Sequence, residues 1–455
     1  MKQNVDMLHG SLADKILLYA LPLAATGILE QLFNAADIAV VGNFVGKEAM
    51  AAVGSNTAII GLLVNLFMGV SLGTNVVIAH AVGRKDKSQI HRAVHTSIIF
   101  ALVSGVCLTM IGEIFAPMIL KMTSVPADVF DMSVLYLRVY LLGIPVILLY
   151  NFESAIFRGQ GNTRTPLLAL AGSGVINVLL NLFFVVVLKR TVDGVAMATV
   201  LSNLLSSIFL FFRLLHSKED VRIRLEEFHL DKDVLKRVLQ IGVPSGIQGA
   251  MFAIANIIIQ SAINSLGATV MAASSAAFNL EIFAFYVMNS FGQTCTTFTG
   301  QNYGAGNLPR CRKTFFRCLL LGVLFTAIAV AVILGFGHQL LAIFNKNEKV
   351  VEVGYVRLLY IFFAYIFSIQ YEIGSGYLRG FGISFLPALI SLVSVCGVRI
   401  FWIMTIFSKY PTFTTIMIVY PVSLGLSGIA VMLTIIFMKP SKRMSKKNAE
   451  GSAVS

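Results

Sequence analysis

The chain has 455 residues, 57% of them hydrophobic and only 13% charged, with a formal net charge of +13. That mix excludes an ordinary soluble globular domain and leaves a polytopic membrane protein. The basic residues cluster at the ends of apolar stretches, so they read as topology signals and not as a nucleic-acid surface.

Apolar stretches long enough to cross a bilayer, about 20 residues each, predict about twelve helical spans and an all-α fold. In chain order they are 16–41, 53–79, 93–120, 134–157, 166–188, 192–215, 234–264, 268–300, 315–344, 350–377, 386–407 and 415–438. The first runs on without a small-residue cleavage site, so it is expected to stay as a span and not to leave as a signal peptide. With the amino terminus inside, most Lys and Arg fall on cytoplasmic segments, which predicts a multi-pass cell-membrane protein with both termini cytoplasmic. Arg138, Arg357 and Arg399 are left within spans. The tail 439–455, with Lys439, Lys442, Arg443, Lys446 and Lys447, suits contact with anionic lipid. Cys107, Cys295, Cys311, Cys318 and Cys396 are odd in number and imply neither a disulfide framework nor a metal cluster.

In the first span, Glu30, Asn34 and Asp37 fall four and three residues apart, on one helical face. A charged side chain at mid-bilayer costs about 2.5–3.5 kcal/mol on an insertion scale, so Asp37 is the first functional candidate. The alternatives are a position near the interface or a pairing with a neighbouring helix. Glu30 is either a second proton or substrate site or a hydrogen-bond partner of Asn34. Pro22, Pro145 and Pro244 lie inside spans and can bend them. Glu113 is expected near the external interface. Glu153 and Glu372, each shortly before Arg158 and Arg379, are expected in gate or structural salt bridges. Glu281, beside Phe283, Phe285 and Tyr286, either holds a cationic substrate with help from the rings or pairs with an arginine. His-Glu-x-x-His, P-loop and Gly-x-Ser-x-Gly patterns are all absent, so no enzyme and no cofactor is expected.

The two halves of the chain repeat. One constant shift carries Gly46 onto Gly267, Gly83 onto Gly304, Arg158, Gly159 and Gly161 onto Arg379, Gly380 and Gly382, and Pro166 onto Pro387. Pro22 maps onto Pro244 with one residue of slippage. The reading is a six-helix lobe at 1–215, a charged cytoplasmic loop at 216–233, a second six-helix lobe at 234–438 and the basic tail. Parallel repeats of this kind are the layout of a rocking transporter.

The run Asn34, Ala35, Ala36, Asp37 with Val41 and Gly42, the loop from Gly300 to Asn307, and the paired Arg-Gly-x-Gly segments resemble the multidrug and toxic compound extrusion (MATE) family, within the MOP flippase superfamily and nearest its DinF-like branch. The resemblance implies two lobes that export small organic compounds, often cations, in exchange for Na⁺ or H⁺, with a monomer expected. It makes Asp37 the ion-coupling acid, surrounded by Asn177, Asn181 and Thr199, with Asn34 on the same helix. The DinF-like branch often has Asp where this chain has Asn181, and the NorM-like branch has Glu where this chain has Asn256. One carboxylate among neutral oxygens makes a weaker Na⁺ site, whereas desolvation favours the neutral form of a carboxyl group and suits a proton carrier. Asn256 is then a substrate contact or an interhelical hydrogen bond. A lipid-linked precursor flippase of the same superfamily and a non-transporting receptor remain the competing readings.

Overall fold

The computed structural model describes residues 4–123 and 125–441; of the basic tail, Lys442, Arg443, Lys446 and Lys447 lie outside the described residues. Hydrocarbon offers no partner to backbone N–H and C=O groups, so a chain of this composition must close its hydrogen bonds within helices. Among the described residues it does so throughout, and no strand forms.

The helices are α1 (Leu12–Phe44), α2 (Lys47–Arg84), α3 (Lys87–Met122), α4 (Phe130–Leu142), α5 (Ile144–Gln160), α6 (Arg164–Leu182) and α7 (Val192–Leu215). After the loop come α8 (Lys232–Asn264), α9 (Ala268–Gly304), α10 (Leu308–Gly335), the short α11 (Gly337–Phe344) and α12 (Glu348–Gly380). The last are α13 (Phe385–Ser391), α14 (Val398–Trp402) and α15 (Phe413–Met438). Among the described residues eleven helical segments are long and apolar enough to cross a membrane, and α4 with α5 makes a twelfth, bent by 47°. The bend has a local cause: Pro145 near the start of α5 lacks an N–H, and Gly143 lets the chain pass Val200, whose Cγ2 would lie 2.3 Å from an added Cβ. The span expected at 315–344 is likewise divided, into α10 and α11.

Among the described residues three π-helical stretches interrupt the ladder: Phe183–Val187 continues α6, Leu392–Gly397 joins α13 to α14, and Ile403–Phe407 follows α14. The repeat also extends to turns. Lys85, at φ +58°, precedes Asp86, whose side chain accepts from Gln89 N and caps α3; Gly306, at φ +73°, precedes Asn307, which caps α10 in the same way through Arg310 N. One step in the left-handed region followed by an N-cap turns the chain from one span into the next.

The chain divides into two units. The first comprises 1–5, 25–82 and 86–242; the second comprises 6–24, 83–85 and 243–455. This division differs from one drawn at the 216–233 loop, because α1 changes unit after Ala24 and α8 after Gly242, each within two residues of Pro22 or Pro244. In the first unit α6 packs on α7, and α5 lies between α3 and α7. In the second, α12 packs against α9 and α15. The connecting loop is docked on α3: Asp231 N donates to Thr96 Oγ1, and the Glu227 carbonyl meets His95 Nδ1 at 3.1 Å. Backbone N–H groups of Val234 and Asp233, with Arg92, hold the Asp231 carboxyl below the usual carboxylate range.

Candidate functional site

Asp37 lies on α1, seven residues from its carboxyl-terminal end at Phe44. Two helices supply its partners. Asn177 and Asn181, one turn apart on α6, share a face; Thr199 and Ser202 lie on α7, which packs on α6. Asn181 Nδ2 donates to Asp37 Oδ1 at 2.5 Å and to Asn177 Oδ1 at 3.2 Å. Thr199 Oγ1 donates to Asp37 Oδ2 at 3.3 Å, and Asn177 Nδ2 reaches Ser202 Oγ at 3.4 Å. Tyr136 and Tyr140 on α4 lie within electrostatic range of the carboxyl group. Asn181 is fully buried, and its Oδ1 has no hydrogen-bond partner.

Every direct partner of Asp37 is therefore neutral, and one buried acceptor beside it is unused. Asn34 does not join the group. It is exposed and, among the described residues, bonds neither Glu30 nor Asp37; helical spacing gave it the right face but could not say what covers that face. Ser202, Tyr136 and Tyr140 are the members that the sequence reading missed, although the one-turn spacing of the tyrosines inside a span was a usable signal.

Glu281 on α9 is taken up by an ion pair, the second of its two expected fates. Arg357 Nη2 meets Glu281 Oε1 at 2.9 Å and Arg357 Nε meets Oε2 at 3.2 Å, with both side chains buried. Arg357 Nη1 also bonds Ser274, and Tyr365 Oη donates to the Glu281 carbonyl. Asn256 makes an interhelical hydrogen bond, accepting from Arg399 Nη1 at 2.9 Å.

The MatE family model matches this chain twice, over residues 22–183 and again over residues 244–405. The chain belongs to the MATE family. The two matches are of equal length and one repeat apart, in agreement with the duplication. A protein named probable multidrug resistance protein YoeA, from Bacillus subtilis, is 26% identical over 391 residues, covering 84% of each chain. Probable multidrug resistance protein NorM from Thermotoga maritima is 25% identical over 393 residues, covering 84% of this chain and 82% of its own. A solved outward-facing multidrug resistance MATE transporter of the MOP superfamily has a TM-score of 0.90 at 22% identity, over 97% of this chain and 99% of that one. The all-α membrane fold with twelve spans is thus the MATE fold.

In this MATE chain the remaining expected site residues form two related groups. On α5 Tyr150, Ser154, Arg158 and Gly159 recur on α12 as Tyr371, Ser375, Arg379 and Gly380. Arg158 lies within electrostatic range of Glu30, and Arg379 within that of Glu372, which also accepts from Asn289 Nδ2 at 3.5 Å. Glu153 departs from expectation: its Oε2 accepts from Ser207 Oγ at 2.9 Å, across to α7, instead of serving Arg158. It projects from α5 one residue before Ser154, on a different side from the arginine one turn further along.

Proposed function

We propose that this protein is a secondary antiporter of the cytoplasmic membrane, both termini inside, that exports small organic compounds, cations among them, in exchange for H⁺ or Na⁺ held at Asp37. One observation carries the reading: a carboxylate within a membrane-spanning helix has only the neutral Asn181 and Thr199 as hydrogen-bond partners, and among the described residues no Lys or Arg neutralises it. A carboxylate kept in a span without a counter-charge is suited to take up a cation and give it back. The Asp37 carboxylate and Thr199 Oγ1 offer hard oxygen donors, and Asn181 Oδ1 is an acceptor with no other use. The naming of curated relatives as multidrug resistance proteins supports export as the direction.

In the cycle, Asp37 releases its ion inward, an organic compound binds from the cytoplasm, and ion entry from outside expels it. Exchange requires that ion and compound bias the same two-state equilibrium in opposite directions. The test is efflux of a fluorescent organic cation from proteoliposomes under an imposed pH gradient or an imposed Na⁺ gradient, with Asp37→Asn in parallel. Transport driven by one gradient and lost in the variant identifies the ion and its site. Driven transport that survives in the variant removes coupling from Asp37.

A further inference from the structure

The second unit holds a positive charge that the antiport cycle does not use. Arg357 and Glu281 satisfy each other through both carboxylate oxygens. Arg399 on α14, only 2% exposed, has no such partner. Its Nε donates to Ser423 Oγ at 3.2 Å, its Nη1 to Asn256 Oδ1 at 2.9 Å, and its guanidinium lies over the Tyr420 ring at 4.7 Å. All three are neutral. Among the described residues Arg399 Nη2 makes no hydrogen bond, and no carboxylate lies within salt-bridge distance of Arg399. A guanidinium does not give up its proton in a protein, so the cluster sets two positive charges against one negative charge inside a span. An uncompensated charge there is costly, so a chain that keeps one is using it.

Two further observations mark the same place. The constant shift between the halves carries Tyr136 onto Arg357, Thr199 onto Tyr420 and Ser202 onto Ser423, so the basic cluster occupies positions equivalent to those around Asp37. The equivalence holds for side chains: Ser206 bonds Ser173 at 2.5 Å, and Ser427 bonds Ser394 at 2.7 Å. Moreover, all three π-helical stretches among the described residues lie either two residues after Asn181 or on the two sides of Arg399. Such stretches are rare and concentrate at functional sites.

We propose that Arg399 anchors the carboxylate of a transported organic compound, and so sets a preference of this protein for a compound bearing a free carboxylate over the same compound with that group esterified. The inference rests on the transport reading but not on the identity of the coupling ion. The guanidinium fork pairs with a carboxylate as it cannot with a neutral group. The Tyr420 ring supplies an aromatic face beside the charge, and Asn256, which accepts from the fork, is exposed on α8.

The test is equilibrium binding, without any gradient, of rhodamine B and of its ethyl ester to the purified full-length protein, followed by fluorescence polarisation at neutral pH. The two dyes share one aromatic cation and differ in the free carboxylate. We expect the carboxylate form to bind tighter by about tenfold or more, the scale of one hydrogen bond to a charged group. Arg399→Gln should bring the ratio to about one, and Arg399→Lys should keep part of it. Asn256→Asp, at an exposed position, gives Arg399 an internal partner and should also abolish the preference, which covers the case of a poorly folded Arg399→Gln. Equal affinity of the two dyes for the unaltered protein, binding of neither, or a preference that survives both substitutions overturns the proposal. So does a preference removed by sodium chloride but retained in an equal concentration of sodium methanesulfonate, which would make a small inorganic anion the occupant. A retained preference alongside efflux that no gradient drives would count against the antiport cycle and leave the anchor standing.

Discussion

Asp37 and Glu281 are both carboxylates in apolar helices, yet their surroundings are opposite. Asp37 meets an amide and a hydroxyl, which leave its charge available; Glu281 meets a guanidinium through both oxygens, which uses it up. Breaking a buried pair by removing one partner leaves the other charge stranded, at a cost of about 3–5 kcal/mol. Glu281→Gln should therefore lower the melting temperature in detergent markedly. Replacing both partners by Met removes the stranded charge and should recover most of the loss. If Glu281→Gln melts like the unaltered protein, the pair is not structural. Asp37→Asn, by contrast, should abolish driven efflux with little effect on melting, since an amide can keep a hydrogen bond to Thr199. The sequence made all the acids visible, because a carboxylate in an apolar run stands out. It did not show their partners: Arg357 lies 76 residues from Glu281, and Ser207 lies 54 residues from Glu153. No local pattern encodes contacts over such separations.

At the scale of elements, the spans were legible because a bilayer demands long apolar runs, whereas the bend between α4 and α5 and the break between α10 and α11 were not. Hydropathy is blind to both, since each side of the break is equally apolar; only Pro145 hinted at the first. Close helix packing was half legible. Gly376 and Gly380 on α12 form a small-xxx-small pattern of the kind that lets helices approach in membranes, and the structure shows which helix approaches. A Cβ on Gly376 would stand 2.3 Å from the Gly292 carbonyl oxygen of α9, and one on Gly380 would stand 2.8 Å from the Thr296 carbonyl oxygen. Because these neighbours are backbone atoms, no side-chain rotation relieves the clash. Gly376→Val must push α9 and α12 apart, at a cost at or above the 1–3 kcal/mol typical of overpacking. We expect a lower melting temperature and poor membrane yield. Gly335→Ala, where an added Cβ meets nothing within 4 Å, should be close to neutral in the same assay.

The duplication organises the whole molecule. It was readable from glycines, prolines and Arg-Gly pairs, and it reaches into caps, serine pairs and the Tyr-Ser-Arg-Gly segments. What repetition could not foretell is the exchange of segments: α1 begins in the second unit and ends in the first, α8 does the reverse, and Pro22 and Pro244 stand beside the two crossings. A helix that belongs to two units must deform whenever those units move as separate bodies. A proline concentrates the deformation, because it lacks the N–H that would otherwise stiffen that turn and its ring crowds the carbonyl one turn earlier. Alanine at either position restores the missing hydrogen-bond donor. Pro22→Ala and Pro244→Ala should therefore each slow the initial rate of gradient-driven efflux without lowering the melting temperature. Equilibrium dye binding, which needs no cycling, should change little. Pro22→Ala should be the more severe of the two, since in the proposed cycle α1 also carries Asp37 and links ion uptake to the bend, while α8 carries no carboxylate within its apolar part. Equal efflux rates in the unaltered protein and both variants would show that the bends are static features of the fold, and would leave the units to move by some other joint.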